Sequence, residues 1–343
     1  MPFCIKSLQR FGELENNAYL CPMKLTLHED TMKKHFYLLG FLITGALSFV
    51  ACGGGDDAPQ NPVPSPITVG YELPAPKGGN SIIITHYGTL NDKSGQTGAN
   101  YTIEWDTEKG AQRWSAYKLC KSLTVKNVNR YYASNDGSLS SSCQYPNDPD
   151  LPSTYRFTAG DDPYKYSGYD HGHICPSADR LSSTESNYQT FYITNMQPQF
   201  GKKNNVPGFN DCVWANMENQ VRNWASRYDT LYVCKGGTID KNDDIIEYVY
   251  QNSHQKERVN NKYIPVPRFF FMAILGRKGN TFKATGFWIN QETYDSRYSS
   301  NTPKNYAISI SELQKKTGID FFYSLPDNIE NQVETSSPYD GWY

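Results

Sequence analysis

The chain has 343 residues, 14% of them aromatic and 20% charged, a balance that excludes a disordered chain and is enough for one large core or two small ones. With 33 Lys and Arg against 35 Asp and Glu, the formal net charge is −2, so no global basic field advertises a polyanion partner. Any phosphate binding must rest on a local surface, for which Lys202, Lys203, Arg222 and Arg227 are available.

From the N-terminus, Met32, Lys33 and Lys34 make a basic start. Residues 36–50 are apolar, and Ala51-Cys52 closes the run ahead of Gly53, Gly54, Gly55, Asp56 and Asp57. The apolar run is short for a membrane span and has the order of a secretory signal. Residues 32–51 are therefore expected to be a signal peptide, with Met32 the initiator and residues 1–31 an over-extension ahead of it. Ala51-Cys52 resembles a bacterial lipobox, in which Cys52 becomes the lipidated first residue. The glycines and aspartates after it resemble the export signal of surface lipoproteins in one group of Gram-negative bacteria. These resemblances imply an exported lipoprotein of the outer membrane or cell surface that meets the membrane through its lipid anchor only. An uncleaved signal anchor is the alternative. Residues 52–79, rich in Gly and Pro, read as a flexible tether, and residues 80–340 as the folded domain. Five cysteines follow Cys52. Pairing Cys120 with Cys143 and Cys212 with Cys234 would leave Cys175 alone, but spacing does not settle connectivity. No C-x-x-C pair points to a thiolate metal site.

Residues 81–87 are β-branched and read as a strand, 91–100 as a polar turn, 101–105 and 113–119 as paired strands. Residues 135–152 are a Ser, Asn, Asp, Gly and Pro loop. Residues 184–190 read as a short helix, and 190–194 as a strand ending at Asn195. The clearest helix spans 209–228. Val213, Trp214, Met217, Val221 and Trp224 form its apolar face, and Asp211, Ala215, Glu218 and Arg222 a second stripe. Strands follow at 231–233, 268–275 and 281–289. Strands outnumber helices and do not alternate with them, so the class is α+β with a largely antiparallel central sheet flanked by helices.

Residues 167–180, S-G-Y-D-H-G-H-I-C-P-S-A-D-R, fit neither an amphipathic helix nor a core strand. Gly168, Gly172 and Pro176 imply a backbone that bends around polar side chains. Asp179 and Arg180 can pair with each other. His173 has the unperturbed pKa of a general base near neutrality and must be neutral to act. Asn210 offers a hard amide oxygen to a cation such as Mg²⁺, though an Asn at a helix start is equally expected as an N-cap. Glu218 and Arg222 can equally be a solvated i,i+4 pair.

Asp170-His171-Gly172-His173 resembles the D-R-G-H motif of the DNA/RNA non-specific endonuclease family, the endonuclease G-like ββα-metal nucleases. T-N-M-Q-P-Q at 194–199 resembles that family's S-N-x-x-P-Q strand. Asn210, Trp214, Glu218 and Arg222 match its N-x-x-x-W-x-x-x-E-x-x-x-R helix. Residues 113–119, 231–238 and 266–275 resemble further strands, so the likeness spans about residues 80–330. It implies a ββα-metal nuclease fold and sequence-nonspecific hydrolysis of DNA and RNA with Mg²⁺, Mn²⁺ or another divalent cation. His173 would be the base, Asn210 the direct metal ligand, and Glu218 a ligand through water. Arg222 would contact the phosphate, and Asn195 would orient His173 or the phosphate. His171 would serve the substrate, Asp170 would serve it or fix backbone or imidazole geometry, unless it is a loop cap, and a homodimer is a further implication. The departure is His171, where the family carries Arg. Two other readings compete: a His171/His173/Cys175 transition-metal hydrolase, and a binding module on a weak or dead nuclease fold.

Overall fold

The computed structural model describes residues 70–135, 144–157, 162–165, 167–204, 206–249, 264–294 and 302–342. The segment expected to be a signal peptide and most of the one expected to be a tether lie outside these residues, as does Cys143. Packing divides the chain at Val63/Pro64, and every described residue belongs to the second unit. Among the described residues no helix is long and apolar enough to cross a membrane.

In chain order the strands and helices are β1 (Ser81–Asn91), β2 (Gln96–Asp106), β3 (Ala111–Leu119), β4 (Asp170–His173), α1 (Thr184–Gln189), β5 (Met196–Gln199), α2 (Ala215–Ala225), β6 (Thr230–Gly237), β7 (Ile245–Val249), β8 (Ile264–Pro267), β9 (Phe269–Lys278), β10 (Thr281–Asn290), α3 (Thr302–Tyr306), β11 (Ala307–Ile308), α4 (Ile310–Thr317) and α5 (Asp327–Thr335). The main sheet has the order β1-β2-β3-β6-β9-β10-β11 and is antiparallel throughout.

Local chemistry sets the hairpins. Asn91 Oδ1 accepts from the Lys93 and Ser94 N–H groups and Gly95 takes φ +67°, so the first turn needs only residues 92–95. It is shorter than the expected 91–100 turn, and the polar residues from Gln96 on join β2. Asp106 repeats the device, accepting from the Glu108 and Lys109 N–H groups ahead of Gly110 at φ +60°.

The central strands are apolar on both sides because both faces are covered. Leu231, Val233, Phe270, Met272 and Ile274 pack with Met217, Val221 and Trp224 of α2. The intervening Tyr232, Cys234, Phe271, Ala273 and Leu275 pack with Leu313 of α4 and Val333 of α5. A sheet sandwiched this way reads as a continuous apolar run and hides its period. Burying residues such as Met217 and Val221 is worth roughly 1.5–3 kcal/mol each. The reading above missed α4 and α5, although Ser309 caps α4 by accepting from the Glu312 N–H at 3.1 Å and Gly318 closes it at φ +71°.

Three expectations are corrected. Asp170–His173 is a strand rather than a bend. The strand expected at 190–194 gives way to a 3₁₀ turn at Ile193–Asn195, so Asn195 stands before β5 rather than at a strand end. Cys212 and Cys234 form no disulfide with each other. Cys234 points into the core on the far side of the sheet from α2.

Candidate active site

β4 pairs antiparallel with β5, Asp170 opposite Gln199 and His173 opposite Met196. The two-residue period puts His171 and His173 on one face. Gly172 faces the other way, where a Cβ would meet the Gln199 side chain at 2.3 Å. That glycine serves close packing rather than a turn. A cleft of about 440 Å³ opens against this ribbon, lined by Arg130, Tyr145, Asp170, His171, His173, Pro176, Ser177, Ala178, Asn210, Asp211, Ala215 and Glu218.

His173 packs edge-on against Phe191 at 4.9 Å, and its Nε2 is buried with no hydrogen-bond partner among the described residues. Burial holds the imidazole well below its ordinary pKa. The charge of Arg130 pushes the same way, and a backbone hydrogen bond at His171 opposes it. The ring is therefore neutral at neutral pH, and His173 lines the cleft.

The expected helix opens with a π turn, Asn210–Trp214, in which the Trp214 N–H reaches the Phe209 carbonyl at 3.1 Å. Such insertions shift helix phase and are frequent at functional sites. The N-cap position falls to Phe209 rather than Asn210. The Asn210 Nδ2 donates to Asp170 Oδ2 at 3.3 Å, and its backbone N–H to the Phe200 carbonyl at 3.0 Å. Asp170 thus fixes the amide, leaving its oxygen for the cleft. Gly201 lies so close that a Cβ there would strike the Asp170 carboxylate.

Glu218 lines the same wall, and the ammonium of Lys235 binds its Oε1. Burial raises the Glu218 carboxyl above its usual range. Lys235 pulls it down, and the nearby Asp179 carboxylate pushes it up. Arg222, expected at the phosphate, lies outside the cleft lining. Its Nη1 donates to Asp179 Oδ1 at 2.6 Å and its Nη2 to Asn219. Asp179 also accepts from the Tyr117 hydroxyl at 2.9 Å. Asp179 and Arg180 therefore do not form the expected side-chain pair. Arg180 instead donates to the carbonyls of Asp179, Asn100 and Lys118.

Asn195 is fully buried behind the ribbon. Its Oδ1 accepts from the Cys175 N–H, and its Nδ2 donates to the Cys175 and Thr190 carbonyls. No phosphate contact is open to it; it clamps the backbone two residues past His173. His171 bonds Asp162 through Nε2 at 2.7 Å and stacks flat on Tyr145, rings 3.7 Å apart at 4°. Although burial acts to raise it, the Asp162 carboxyl is held below its usual range by His171.

These contacts dismantle the His/Cys metal reading. Cys175 belongs to the main core, with burial pushing its thiol up to about 12, and His171 is committed to Asp162. Among the described residues, His and carboxylate triples close enough to share an ion lie elsewhere, at His86/Asp148/Asp150 and Asp320/Glu330/Glu334. In the first, Asp148 already accepts from His86, the Thr194 hydroxyl and the Asp150 N–H.

The sequence reading missed Arg130, Tyr145, Asp162 and Lys235. The first three sit in irregular segments with no periodicity to single them out. Lys235 left a trace as the polar member of the inward row Leu231, Val233, Lys235.

The family model described as DNA/RNA non-specific endonuclease matches residues 78–328. Nuclease C1 of Cunninghamella echinulata var. echinulata is 31% identical over 53% of this chain and 67% of its own length. A nuclease of Nostoc sp. is 28% identical over 68% and 75%, and mitochondrial endonuclease G of Bos taurus 25% identical over 75% and 79%. A solved EndoG/EndoGI complex shares the fold at a TM-score of 0.50 and 20% identity, over 66% of this chain and 84% of that one. With its antiparallel sheet, its β4–β5 ribbon and the α2 helix closing the cleft, the chain has the ββα-metal nuclease fold and belongs to the DNA/RNA non-specific endonuclease family.

Proposed function

We propose that this cleft hydrolyses phosphodiester bonds in DNA and RNA with little sequence preference, using a divalent cation and His173 as general base. The observation that carries the reading is a neutral His173, its Nε2 without a partner among the described residues, lining one cleft with the oxygen ligands Asn210 and Glu218. A base so placed can take a proton from an attacking water. The donor set suits a hard cation: Asn210 would hold Mg²⁺ or Mn²⁺ directly, and Glu218 would hold part of its water shell. When bound, the ion supplies positive charge against the charge that develops on the phosphate.

The other residues divide the remaining work. Asp170 orients the Asn210 amide. Arg130, always charged and resting over the Phe191 ring, supplies a cation to the phosphate side. His171, held by Asp162 and Tyr145, presents a fixed ring in place of the family's guanidinium fork. Arg222 acts through Asp179 on the shape of α2, and Asn195 through the Cys175 backbone on His173. Lys202 and Lys203 are exposed beside Gly201 and extend the local basic surface. We also propose that the enzyme is exported and held at the membrane by lipid on Cys52.

The test is incubation of the full chain with plasmid DNA and with RNA, in Mg²⁺, Mn²⁺ or EDTA. Degradation of both substrates, lost in EDTA, is expected. A folded sample that cleaves neither would reject the reading in favour of a binding module, with His171 the motivating residue.

A further inference from the structure

Strand β6 lays Leu231 and Val233 against α2, and the next residue in that row is Lys235. It sits mid-sheet, opposite Ser115 on β3 and Met272 on β9, and is 1% exposed. Its ammonium bonds Glu218 Oε1 and stands 4.6 Å from the centroid of the Trp214 ring. A buried ammonium gives up its hydration, and an unbranched apolar side chain would fill the same slot without that loss. A purely structural lysine is therefore a poor choice here.

Both partners of the ammonium lie on the helical segment that carries the metal-side wall. Trp214 ends the π turn that begins at Asn210, and Glu218 lies one turn further on. Lys235 thus reaches up from the rigid sheet and grips this wall at two points. One Glu218 oxygen is turned down to the lysine, which leaves the other for the cleft.

We propose that Lys235 is a positioning residue for the reaction, fixing the Glu218 carboxylate and Trp214 from beneath so that Glu218 keeps a constant relation to Asn210. The inference rests on the reading of the cleft as a divalent-cation phosphodiesterase site. It makes the central sheet, rather than the helix alone, the reference frame for the cation's surroundings.

A double-mutant cycle on the full chain tests it, with Lys235→Met, Glu218→Gln and the double variant. The Kd for Mn²⁺, and kcat and KM on a defined oligonucleotide, are the readouts. Lys235→Met is expected to lower kcat about tenfold or more with KM little changed, and to raise the Mn²⁺ Kd at least about threefold. The thermal midpoint is read alongside: Lys235→Met leaves the Glu218 carboxylate without its partner and should lower it, and adding Glu218→Gln should recover part of that loss. In the Glu218→Gln background, where Trp214 and an amide oxygen remain for the lysine to hold, the same substitution should cost clearly less on both kcat and the Mn²⁺ Kd. Effects below about threefold, or equal losses in both backgrounds, would overturn the assignment. Tighter Mn²⁺ binding would overturn it too, by showing the lysine to be a repelling charge alone. If Lys235→Met does not melt cooperatively, Lys235→Leu and Lys235→Gln are held to the same criteria. A wild-type protein that binds Mn²⁺ but cleaves nothing would reject the nuclease reading and leave the Mn²⁺ cycle to decide Lys235. One that binds no Mn²⁺ would reject both.

Discussion

Asn195→Ala should cost both stability and rate. The Asn195 amide makes four hydrogen bonds in a site with no exposure. Oδ1 accepts from the Cys175 N–H at 2.9 Å and the Ser115 hydroxyl at 3.1 Å, and Nδ2 donates to the Cys175 and Thr190 carbonyls at 2.8 Å each. Each lost bond is worth about 1 kcal/mol, and each buried group left without a partner costs about 1–3 kcal/mol. With a water entering the vacated space, the sum is on the order of 3–5 kcal/mol, or about 10 °C in a domain of this size. The Asn195 carbonyl still receives the Ile174 N–H at 3.0 Å, so β4 should persist with Cys175 loosened behind it. A base displaced by about 1 Å loses on the order of 10²-fold in rate, so kcat should fall by up to that factor in molecules that remain folded. Asn195→Asp keeps the acceptor, removes both donors and buries a charge, so it should be worse. Denaturant unfolding followed by circular dichroism, with single-turnover cleavage on the same samples, measures both effects. A stability loss under about 1 kcal/mol with unchanged kcat would refute the clamp.

His173→Ala should lower kcat by about 10²–10⁴-fold while the thermal midpoint stays close to wild type. Because burial depresses the His173 pKa, the acid limb of kcat/KM should lie well below pH 6.5; a limb at 6.5 would contradict the environment described. The same depression makes the unfolded chain bind the extra proton first, so its contribution to stability is complete above about pH 6.5 and is lost as pH falls toward the folded pKa. Asn210→Ala should abolish the rise in thermal midpoint that Mn²⁺ gives the wild type, a shift set by the ratio of free ion to Kd. Asp162→Ala, by releasing His171 from its partner, should raise KM several-fold more than it lowers kcat, read from steady-state cleavage of one oligonucleotide. Cys52→Ala should end incorporation of labelled palmitate and move the protein from the membrane fraction to the soluble one.

The elements that were legible in the sequence carried local signals. The β1–β2 and β9–β10 hairpins have β-branched or aromatic runs bracketed by polar turns, and the apolar row from Val213 to Trp224 announces α2. The failures have equally local reasons. Asp170–His173 looked like a bend because a glycine and a proline punctuate it, yet Gly172 is there to admit the Gln199 side chain from the neighbouring strand. The strand expected at 190–194 has the right composition, but its end winds into a 3₁₀ turn that delivers Asn195 to the Cys175 backbone. The π turn at Asn210 leaves no mark in the spacing of residue types, since it changes helix phase without changing which residues are apolar.

By itself the sequence determined which residue types are present for the chemistry and roughly where: an imidazole at 173, an amide at the head of a helix, a carboxylate two turns on. These follow from short spacings that a strand or helix turns directly into geometry. Only the tertiary structure decided which groups have donors and acceptors to spare. Arg222 is spent on Asp179, 43 positions away, His171 is held by Asp162, and Lys235 reaches Glu218 from another strand. A side chain's availability depends on partners brought together by folding, and hydrogen-bond capacity used within the protein is withdrawn from a substrate. His173 keeps its Nε2 because no group among the described residues claims it.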